Sequence, residues 1–222
     1  QLNKTVNRTV IENMNPDVVI IAIGAKPKRA PFPTKGCQNL MSAWEALSCP
    51  EKVGEKIVII GGGSVGCETA EYLAGKNVEI ECQGMKGQGP DIAYKVLNRT
   101  EPALKRDITI IEFLDDVAID EEWGNRALLM IRLKESQVRM ITKAKPEVIN
   151  NNTLTYLEMN SEKTKQIEAD TFIISTGIEP EQGLINEFSN CNFKIMTIGD
   201  CTKPGTIKDA IYSAASAIRQ IG

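Results

Sequence analysis

The sequence contains no histidine, and several other common features are scarce. Without an imidazole, this chain cannot build a histidine-based catalytic triad, a histidine general base or a histidine-ligated metal site. Basic residues are not in excess, since 26 Lys and Arg stand against 29 Asp and Glu, for a formal net charge of −3 at pH 7. Nucleic acids and anionic membrane surfaces are bound by clusters of positive charge, so the composition argues against both as partners.

Cysteines are few and lie far apart. No two are closer than ten positions, and no Cys-x-x-Cys pair occurs among Cys37, Cys49, Cys67, Cys82, Cys191 and Cys201. This spacing, without histidine, excludes a zinc or iron–sulfur site built within the chain, so no metal ligands are predicted. So few cysteines in 222 residues are typical of reduced thiols in the cytoplasm, which is the location we expect. The longest apolar runs have the length of a buried strand and are too short to span a membrane, which argues against a membrane partner.

Three apolar segments each run directly into a glycine, and they organise the chain. They cover residues 17–24, 55–61 and 169–177. Continuous runs of β-branched residues are typical of strands buried on both faces, as in a parallel sheet covered by helices. The sequence therefore predicts an α/β fold.

The spacing of apolar residues predicts further elements. Helices are expected at 64–74, 121–137 and 207–220, and further strands at 107–113, 138–142, 147–149, 153–158 and 193–198. Residues 26–50, rich in proline and polar side chains, are interpreted as a linker or crossover. Residues 83–106 fit no element well and are interpreted as an inserted surface loop, with room for a short helix from Pro90 to Leu97.

The strongest chemical signal is a glycine motif between a predicted strand and a predicted helix. Gly61 permits a tight turn, Gly63 lets the backbone approach a diphosphate, and Gly66 lets the helix pack closely on the strand. Backbone N–H groups at the start of such a helix hold anions, helped by its partial positive charge. The motif therefore predicts a dinucleotide site formed by Gly61, Gly62, Gly63, Ser64, Val65 and Gly66.

An acidic residue at the end of the next strand should bind the adenosine ribose. Glu81 has the usual offset of about 20 residues from Gly61, but it ends a strand that Glu79 interrupts. Glu112 ends the more apolar strand 108–112, so we favour Glu112 and keep Glu81 as the alternative. No Lys or Arg follows either glutamate within three residues, so a 2′-phosphate would meet uncompensated negative charge. NAD is therefore favoured over NADP.

Together with two further segments, these motifs resemble a known family. The segments Asp-Val-Val-Ile-Ile-Ala-Ile-Gly-Ala from residue 17 and Ile-Gly-Asp-Cys-Thr-Lys-Pro-Gly-Thr from residue 198 carry most of the resemblance. The chain resembles the C-terminal portion of NADH:flavin oxidoreductases related to 2-enoate reductase, 2,4-dienoyl-CoA reductase and trimethylamine dehydrogenase.

The resemblance implies a two-dinucleotide flavoprotein fold, in which a Rossmann-like NAD domain is inserted into a partial FAD-binding domain. Residues 1–51 would be a partial FAD segment and linker, 52–178 the NAD-binding domain with an insertion near 83–106, and 179–222 the C-terminal FAD segment. By the same resemblance, Gly24 lies at the return to the flavin half, Thr176 and Gly177 line the nicotinamide side, and Gly199 and Asp200 close the flavin site. Relatives also carry an upstream FAD-binding glycine motif, an FMN barrel and an iron–sulfur cluster, none of which this sequence matches.

The leading hypothesis is a fragment of a flavin-dependent oxidoreductase that binds NADH and delivers hydride to FAD within a larger enoate or dienoyl-CoA reductase-like enzyme. Cofactors carry this reaction, so no catalytic side chain is predicted, and the isolated chain is expected to be inactive without its missing FAD segment. The expected partners are small-molecule dinucleotides and the missing N-terminal flavin and barrel domains, and a homo-oligomer is compatible with the sequence. Two alternatives stay open: a redox-silent NAD-binding module for regulation or assembly, and another nucleotide-binding enzyme such as a methyltransferase.

Overall fold

The computed structural model describes residues 2–85, 92–102, 104–188 and 191–221. The strands are β1 (Val18–Ile21), β2 (Ala25–Pro27), β3 (Thr34–Lys35), β4 (Leu40–Ser42), β5 (Lys56–Ile60), β6 (Val78–Met85), β7 (Ile92–Arg99), β8 (Asp107–Ile111), β9 (Arg139–Ile141), β10 (Ala144–Asn150), β11 (Thr153–Glu158), β12 (Lys163–Glu168), β13 (Thr171–Ile174), β14 (Ile178–Pro180) and β15 (Lys194–Thr197). The helices are α1 (Arg8–Glu12), α2 (Ala43–Ser48), α3 (Ser64–Ala74), α4 (Trp123–Glu135), α5 (Gly183–Glu187) and α6 (Ile207–Ile218). Among the residues described, none of the helices has both the length and the apolar character needed to cross a membrane.

The chain divides into two compact units. Residues 27–177 form one, here called the central unit, and residues 1–26 with 178–222 form the other, the flanking unit. Most of the segment expected to be a linker, residues 26–50, lies inside the central unit and contributes β3, β4 and α2. The expected linker or crossover therefore contains short elements that the sequence did not indicate, because β4 has only three residues, too few to show the apolar pattern of a strand.

A five-stranded parallel sheet, in the order β4-β13-β5-β8-β9, forms the centre of the central unit. Alternate residues of β5 enter two different cores. Ile57 and Ile59 pack in a cluster with residues of α2, α3 and α4, whereas Val58 and Ile60 pack in a second cluster. All four are at most 1% exposed, and burying each such side chain stabilises the fold by about 1.5–3 kcal/mol. The α/β fold predicted from these strands is confirmed.

The second core lies against a further sheet and not against helices. This sheet has the order β12-β11-β10-β3, and its Ile149 and Leu154 are fully buried in the same cluster as Val58 and Ile60. The parallel sheet is therefore covered by helices on one face and by a mostly antiparallel sheet on the other. The sequence indicated β11 and part of β10, but it missed β12, whose polar residues are largely exposed.

The inserted segment contains strands where a loop and a short helix were expected. β6 and β7 pair antiparallel, with Val78 opposite Arg99 and Cys82 opposite Tyr94. The helix expected from Pro90 to Leu97 is wrong for residues 92–97, which belong to β7, while residues 86–91 lie outside the described part of the chain. Paired strands owe their stability to cross-strand contacts, which the local pattern of a glycine-rich sequence does not reveal.

The flanking unit has a small core of its own. β1 pairs in parallel with β15, β2 pairs with β14, and Ile21, Phe188 and Cys201 are buried together. The predicted strand at 193–198 and helix at 207–220 appear as β15 and α6. α6 leaves Ile207 and Tyr212 largely exposed.

Candidate functional site

Residues 61–66, here called the glycine turn, comprise the connection after β5 and the first residues of α3. Their shape depends on backbone contacts that only glycine allows. Gly61 has a φ of 105°, and a Cβ there would lie 2.2 Å from the Ser175 carbonyl oxygen. A Cβ on Gly66 would lie 2.0 Å from the Gly61 carbonyl oxygen. These two glycines are therefore required by the fold itself, because they let α3 and β13 pack directly against the turn.

Glu112 lies beside the glycine turn and is 9% exposed. Its Oε2 accepts a hydrogen bond from the Gly62 N–H at 2.5 Å, and its Oε1 accepts one from the Leu114 N–H at 2.7 Å. A Cβ on Gly62 would meet Val117 at 2.8 Å and Glu112 at 3.1 Å, so this glycine is also enclosed by protein. The carboxylate is thus held at the end of β8, next to the turn.

Gly63 differs from the other glycines of the turn. Its φ of −66° is open to any residue, and the three atoms nearest to a Cβ built on it all belong to the Asp120 carboxylate, the first at 3.3 Å. Neither backbone conformation nor neighbouring backbone therefore requires glycine here. The open face beside Gly63 is the approach to the N-terminus of α3, where Val65 is also 46% exposed.

Asp120 occupies this approach, and sequence reasoning missed it. Its Oδ1 accepts a hydrogen bond from the Ser64 N–H and its Oδ2 one from the Ser64 hydroxyl, both at 2.8 Å. The contact joins residues 56 positions apart, so no local pattern could reveal it. The available signal was the concentration of acidic residues in the loop between β8 and α4, residues 112–122, here called the acidic loop.

The acidic loop is fixed at a few points. The Ala118 N–H donates to the Gly62 carbonyl oxygen at 2.7 Å, and Val117 and Ala118 are buried. Arg126 of α4 donates to the Val117 carbonyl oxygen and pairs with Asp116 at 2.5 Å. These contacts set the position of the loop beside the glycine turn.

The acidic loop also makes the electrostatic surroundings of α3 negative. The pKa of Glu68 is raised by partial desolvation, and the charges of Glu121, Glu71 and Asp120 raise it further. Burial raises the pKa of the Cys67 thiol to about 12, with a further contribution from Asp120. This thiol donates to the Gly62 carbonyl oxygen at 3.4 Å and stays protonated at neutral pH, so it offers no thiolate for redox chemistry.

The predicted residues at the end of β13 reach the same edge of the parallel sheet. Ser175 N–H donates to the Ile60 carbonyl oxygen at 2.8 Å, which ties this segment to the end of β5. Thr176 has a buried hydroxyl with no hydrogen-bond partner among the described residues. Gly177 has a φ of 100° and accepts a hydrogen bond from the Lys28 N–H. The structure therefore brings the glycine turn, Glu112, Thr176 and Gly177 to the carboxyl ends of neighbouring strands, where ligands of open α/β sheets bind.

The remaining predicted site residues lie elsewhere. Gly24, with a φ of 76°, and Gly199, with a φ of 66°, belong to the flanking unit, where the Gly199 N–H donates to the Ser213 hydroxyl. Asp200 Oδ1 accepts from the Gly205 N–H at 3.1 Å. The alternative ribose ligand, Glu81, is exposed on β6, which pairs only with β7 among the described strands.

Comparisons with known proteins agree with this architecture. The family model described as "Pyridine nucleotide-disulphide oxidoreductase" matches residues 2–220. A metal reductase from Desulforamulus reducens is 29% identical over 197 residues, which cover 88% of this chain and 29% of that protein. A cinnamate reductase from Clostridium sporogenes is 26% identical over 228 residues, which cover 100% of this chain and 29% of that protein.

A solved structure of a 2-naphthoyl-CoA reductase, in complex with 2-naphthoyl-CoA, is similar in fold. The TM-score is 0.74 at 23% identity, and the match covers 96% of this chain and 28% of that one. The chain therefore spans less than a third of the length of these relatives.

Proposed function

The chain belongs to the pyridine nucleotide-disulphide oxidoreductase family, and from this premise we propose that residues 52–178 bind NAD(H) at the carboxyl edge of the five-stranded sheet. The glycine turn would hold the diphosphate through the Gly63, Ser64 and Val65 amides at the start of α3. Glu112 would accept hydrogen bonds from the adenosine ribose, and Thr176 and Gly177 would line the nicotinamide side.

The observation that carries this proposal is the unexplained glycine at position 63. Gly61, Gly62 and Gly66 are enclosed by protein atoms, whereas the three atoms nearest to a Cβ on Gly63 all belong to the Asp120 carboxylate. Gly63 lies beside the backbone amides at the N-terminus of α3, and the fold does not need a glycine there. This combination fits a ligand whose phosphates approach the backbone closely. The residues present therefore fit a dinucleotide.

The charges near Glu112 support NAD over NADP. Residues 113–116 include Asp115 and Asp116 and no basic residue, and the nearest downstream arginine, Arg126, is paired with Asp116. A 2′-phosphate on the ribose would therefore meet negative charge from residues 113–116, with no basic residue in that segment to compensate it.

The flanking segments, residues 1–51 and 179–222, would contribute to an FAD site. Gly24 and Gly199 hold turns with positive φ, and Asp200 uses Oδ1 within its own loop while Oδ2 has no partner among the described residues. We propose that Oδ2 accepts a hydrogen bond from the ribityl chain of FAD. When bound, the two cofactors would supply hydride transfer from nicotinamide C4 to flavin N5.

The residues of this chain would position the two cofactors and would form no covalent bond with them. All six cysteines, each within the described part of the chain, are free, and no two are closer than ten positions in the sequence. This supports a branch of the family that does not use a redox-active disulfide. We further propose that the chain is part of a larger enoate or dienoyl-CoA reductase-like enzyme with upstream FMN and iron–sulfur domains, supported by its similarity to a cinnamate reductase over 29% of that protein.

Calorimetric titration of the chain with NADH and with NADPH tests the proposal. We expect NADH to bind with one site per chain and NADPH to bind more weakly. Gly63→Val should weaken NADH binding about a hundredfold or more, because the side chain would occupy the approach of the diphosphate, while circular dichroism shows an unchanged fold.

Gly124→Val is the matched control. Gly124 lies in the first turn of α4, and a Cβ there would also meet only a carboxylate oxygen, Glu122 Oε2 at 3.7 Å. NADH affinity should be the same in this variant as in the wild type. An unchanged affinity in Gly63→Val, or no NADH binding by the wild type, would contradict the proposed site.

A further inference from the structure

The N-terminus of α3 already holds an anion from the protein itself. Both carboxylate oxygens of Asp120 accept hydrogen bonds from Ser64, one from its N–H and one from its hydroxyl. We propose that Asp120 is an internal competitor of the diphosphate, so that NADH binds by displacing its carboxylate from Ser64. This inference rests on the proposed function.

The carboxylate and a diphosphate would require the same space and the same donor. Asp120 Oδ2 lies 3.3 Å from the position of a Cβ on Gly63, which is the open face of the glycine turn. The Ser64 N–H belongs to the amides that a helix N-terminus offers to an anion. A phosphate oxygen at this N–H and the Asp120 carboxylate would therefore exclude each other, by overlap and by like charge.

The backbone of the loop that carries Asp120 is fixed, whereas the exposed Asp120 side chain is held through Ser64. The Ala118 N–H bond to Gly62, and the Glu121 N–H bond to the Ala118 carbonyl oxygen at 3.2 Å, hold the backbone on either side. Asp120 is exposed and, among the described residues, its carboxylate has no hydrogen-bond partner other than Ser64. Displacement then needs only rotation of one side chain into solvent, and the acidic loop need not unfold.

The contact between Asp120 and Ser64 should raise the stability of the free chain and lower its affinity for a dinucleotide. In the free chain it satisfies an N–H at the start of α3 and places a negative charge at the positive end of the helix, which stabilises the fold. For an incoming dinucleotide it is a competing anion that lowers the affinity. A side chain that merely capped the helix would give the first effect without the second.

The test compares Asp120→Ala, Asp120→Asn and Glu122→Gln. NADH affinity is measured by calorimetry, and the thermal midpoint is measured without ligand. Asp120→Ala should bind NADH about tenfold more tightly, while its midpoint falls by about 2–4 °C because the cap is lost. Asp120→Asn keeps an acceptor for the Ser64 N–H but loses the charge, so its affinity should lie between wild type and Asp120→Ala.

Glu122→Gln is the matched control, because it removes one negative charge two positions along the same loop. Its side chain accepts no hydrogen bond from the described residues, and its NADH affinity should stay within about twofold of the wild type. Equal or weaker binding by Asp120→Ala, with wild type binding NADH, would overturn the competition and leave the proposed function intact. An unchanged thermal midpoint would show that the contact does not form in solution and would also overturn it. If neither wild type nor Asp120→Ala binds NADH, the proposed function fails and this inference fails with it.

Discussion

Two helices that follow parallel strands, α3 and α6, begin in different ways. α6 caps itself: the Thr206 hydroxyl accepts from the Asp209 N–H, and the Asp209 carboxylate accepts from the Thr206 N–H at 2.8 Å. α3 begins at Gly63, which has no side chain to cap it, and it has no acidic residue in its first turn. Its cap comes from Asp120, 56 residues further along the chain.

Under the proposed function, we interpret this difference as one between a structural helix end and a helix end that binds a ligand. In α6 the residues next to the helix satisfy its first N–H groups, so an outside anion has no advantage there. In α3 the local sequence leaves those groups open, and only an exposed side chain from a distant loop covers part of them. An N-terminus that lacks a local cap is therefore the one we assign to the diphosphate.

The largest expected effect is on the free energy of unfolding, and it tests how closely the backbone of each helix packs against its neighbours. Gly66→Ala should lower the free energy of unfolding by about 3 kcal/mol, because the new Cβ would lie 2.0 Å from the Gly61 carbonyl oxygen and backbone would have to move. Urea denaturation followed by circular dichroism measures the change.

Gly205→Ala, just before α6, is the matched variant. Its Cβ would lie 2.9 Å from Asp209 Oδ2 and 3.1 Å from Asp209 Cβ, so a side chain and not backbone would have to move. Because that side chain caps α6, the cost should be about 1–2 kcal/mol, less than for Gly66→Ala. Equal costs for the two substitutions would show that α3 does not depend on close backbone packing, and the contrast between the two helices would fail.

The second prediction concerns the acidic residue beside α3. Glu112→Ala should weaken NADH binding by about 1–3 kcal/mol, because the ribose would lose a charged acceptor. Titration calorimetry on folded protein measures the effect, and circular dichroism must first confirm the fold, since the Gly62 and Leu114 N–H groups also lose their acceptor.

Glu81→Ala is the control for the alternative ribose ligand. Glu81 is exposed on β6, so its replacement should leave both the affinity and the fold unchanged. Weaker binding in Glu81→Ala together with unchanged binding in Glu112→Ala would transfer the ribose role to Glu81.

Much of the parallel sheet could be predicted from the sequence, because its strands are buried on both faces. β5 and β13 appear as continuous apolar runs, and the apolar β8 was correctly preferred over β6 as the next strand of the sheet. The glycine turn was visible because Gly66 packs against the Gly61 carbonyl oxygen within one strand-turn-helix unit. Local chemistry was sufficient for these features.

Features that depend on distant partners could not be predicted in this way. The pair of strands β6 and β7 is held by cross-strand contacts, and β4 is short and joins the sheet only through β13. The residues next to Asp120 in the sequence form no motif that distinguishes it from the other acidic residues of the loop. Its contact with Ser64 arises because the hydrogen bond between Ala118 and Gly62 holds the acidic loop beside the glycine turn. The sequence showed the acidic residues but not which of them reaches α3.

The smallest predicted effect is a dependence of folding stability on pH, with opposite signs for Glu68 of α3 and Asp209 of α6. At α3, the pKa of Glu68 is raised from 4.5 by partial desolvation and then by Glu121, Glu71 and Asp120. A carboxyl group whose pKa is raised by folding destabilises the folded state when it is charged. This loss of stability is complete above the pKa of the folded state and disappears below the pKa of the unfolded state. At α6, hydrogen bonds from Thr206 lower the pKa of Asp209, so its stabilisation is present above its unfolded pKa and is lost as the pH falls through its folded pKa.

Glu68→Gln should therefore stabilise the protein at pH 7 by about 0.5 kcal/mol or less, a value discounted for solvent screening at this exposed position. The gain should disappear as the pH falls below the ordinary glutamate value of 4.5, because both forms are then neutral. Asp209→Asn should do the opposite, lowering stability at pH 7 and matching the wild type in acid. Thermal melts across this pH range compare both variants with Glu79→Gln, which removes an exposed charge on β6 and should change neither trend. If Glu68→Gln lowered stability at pH 7, the surroundings of α3 would not be negative, and the reason for treating its N-terminus differently from that of α6 would weaken.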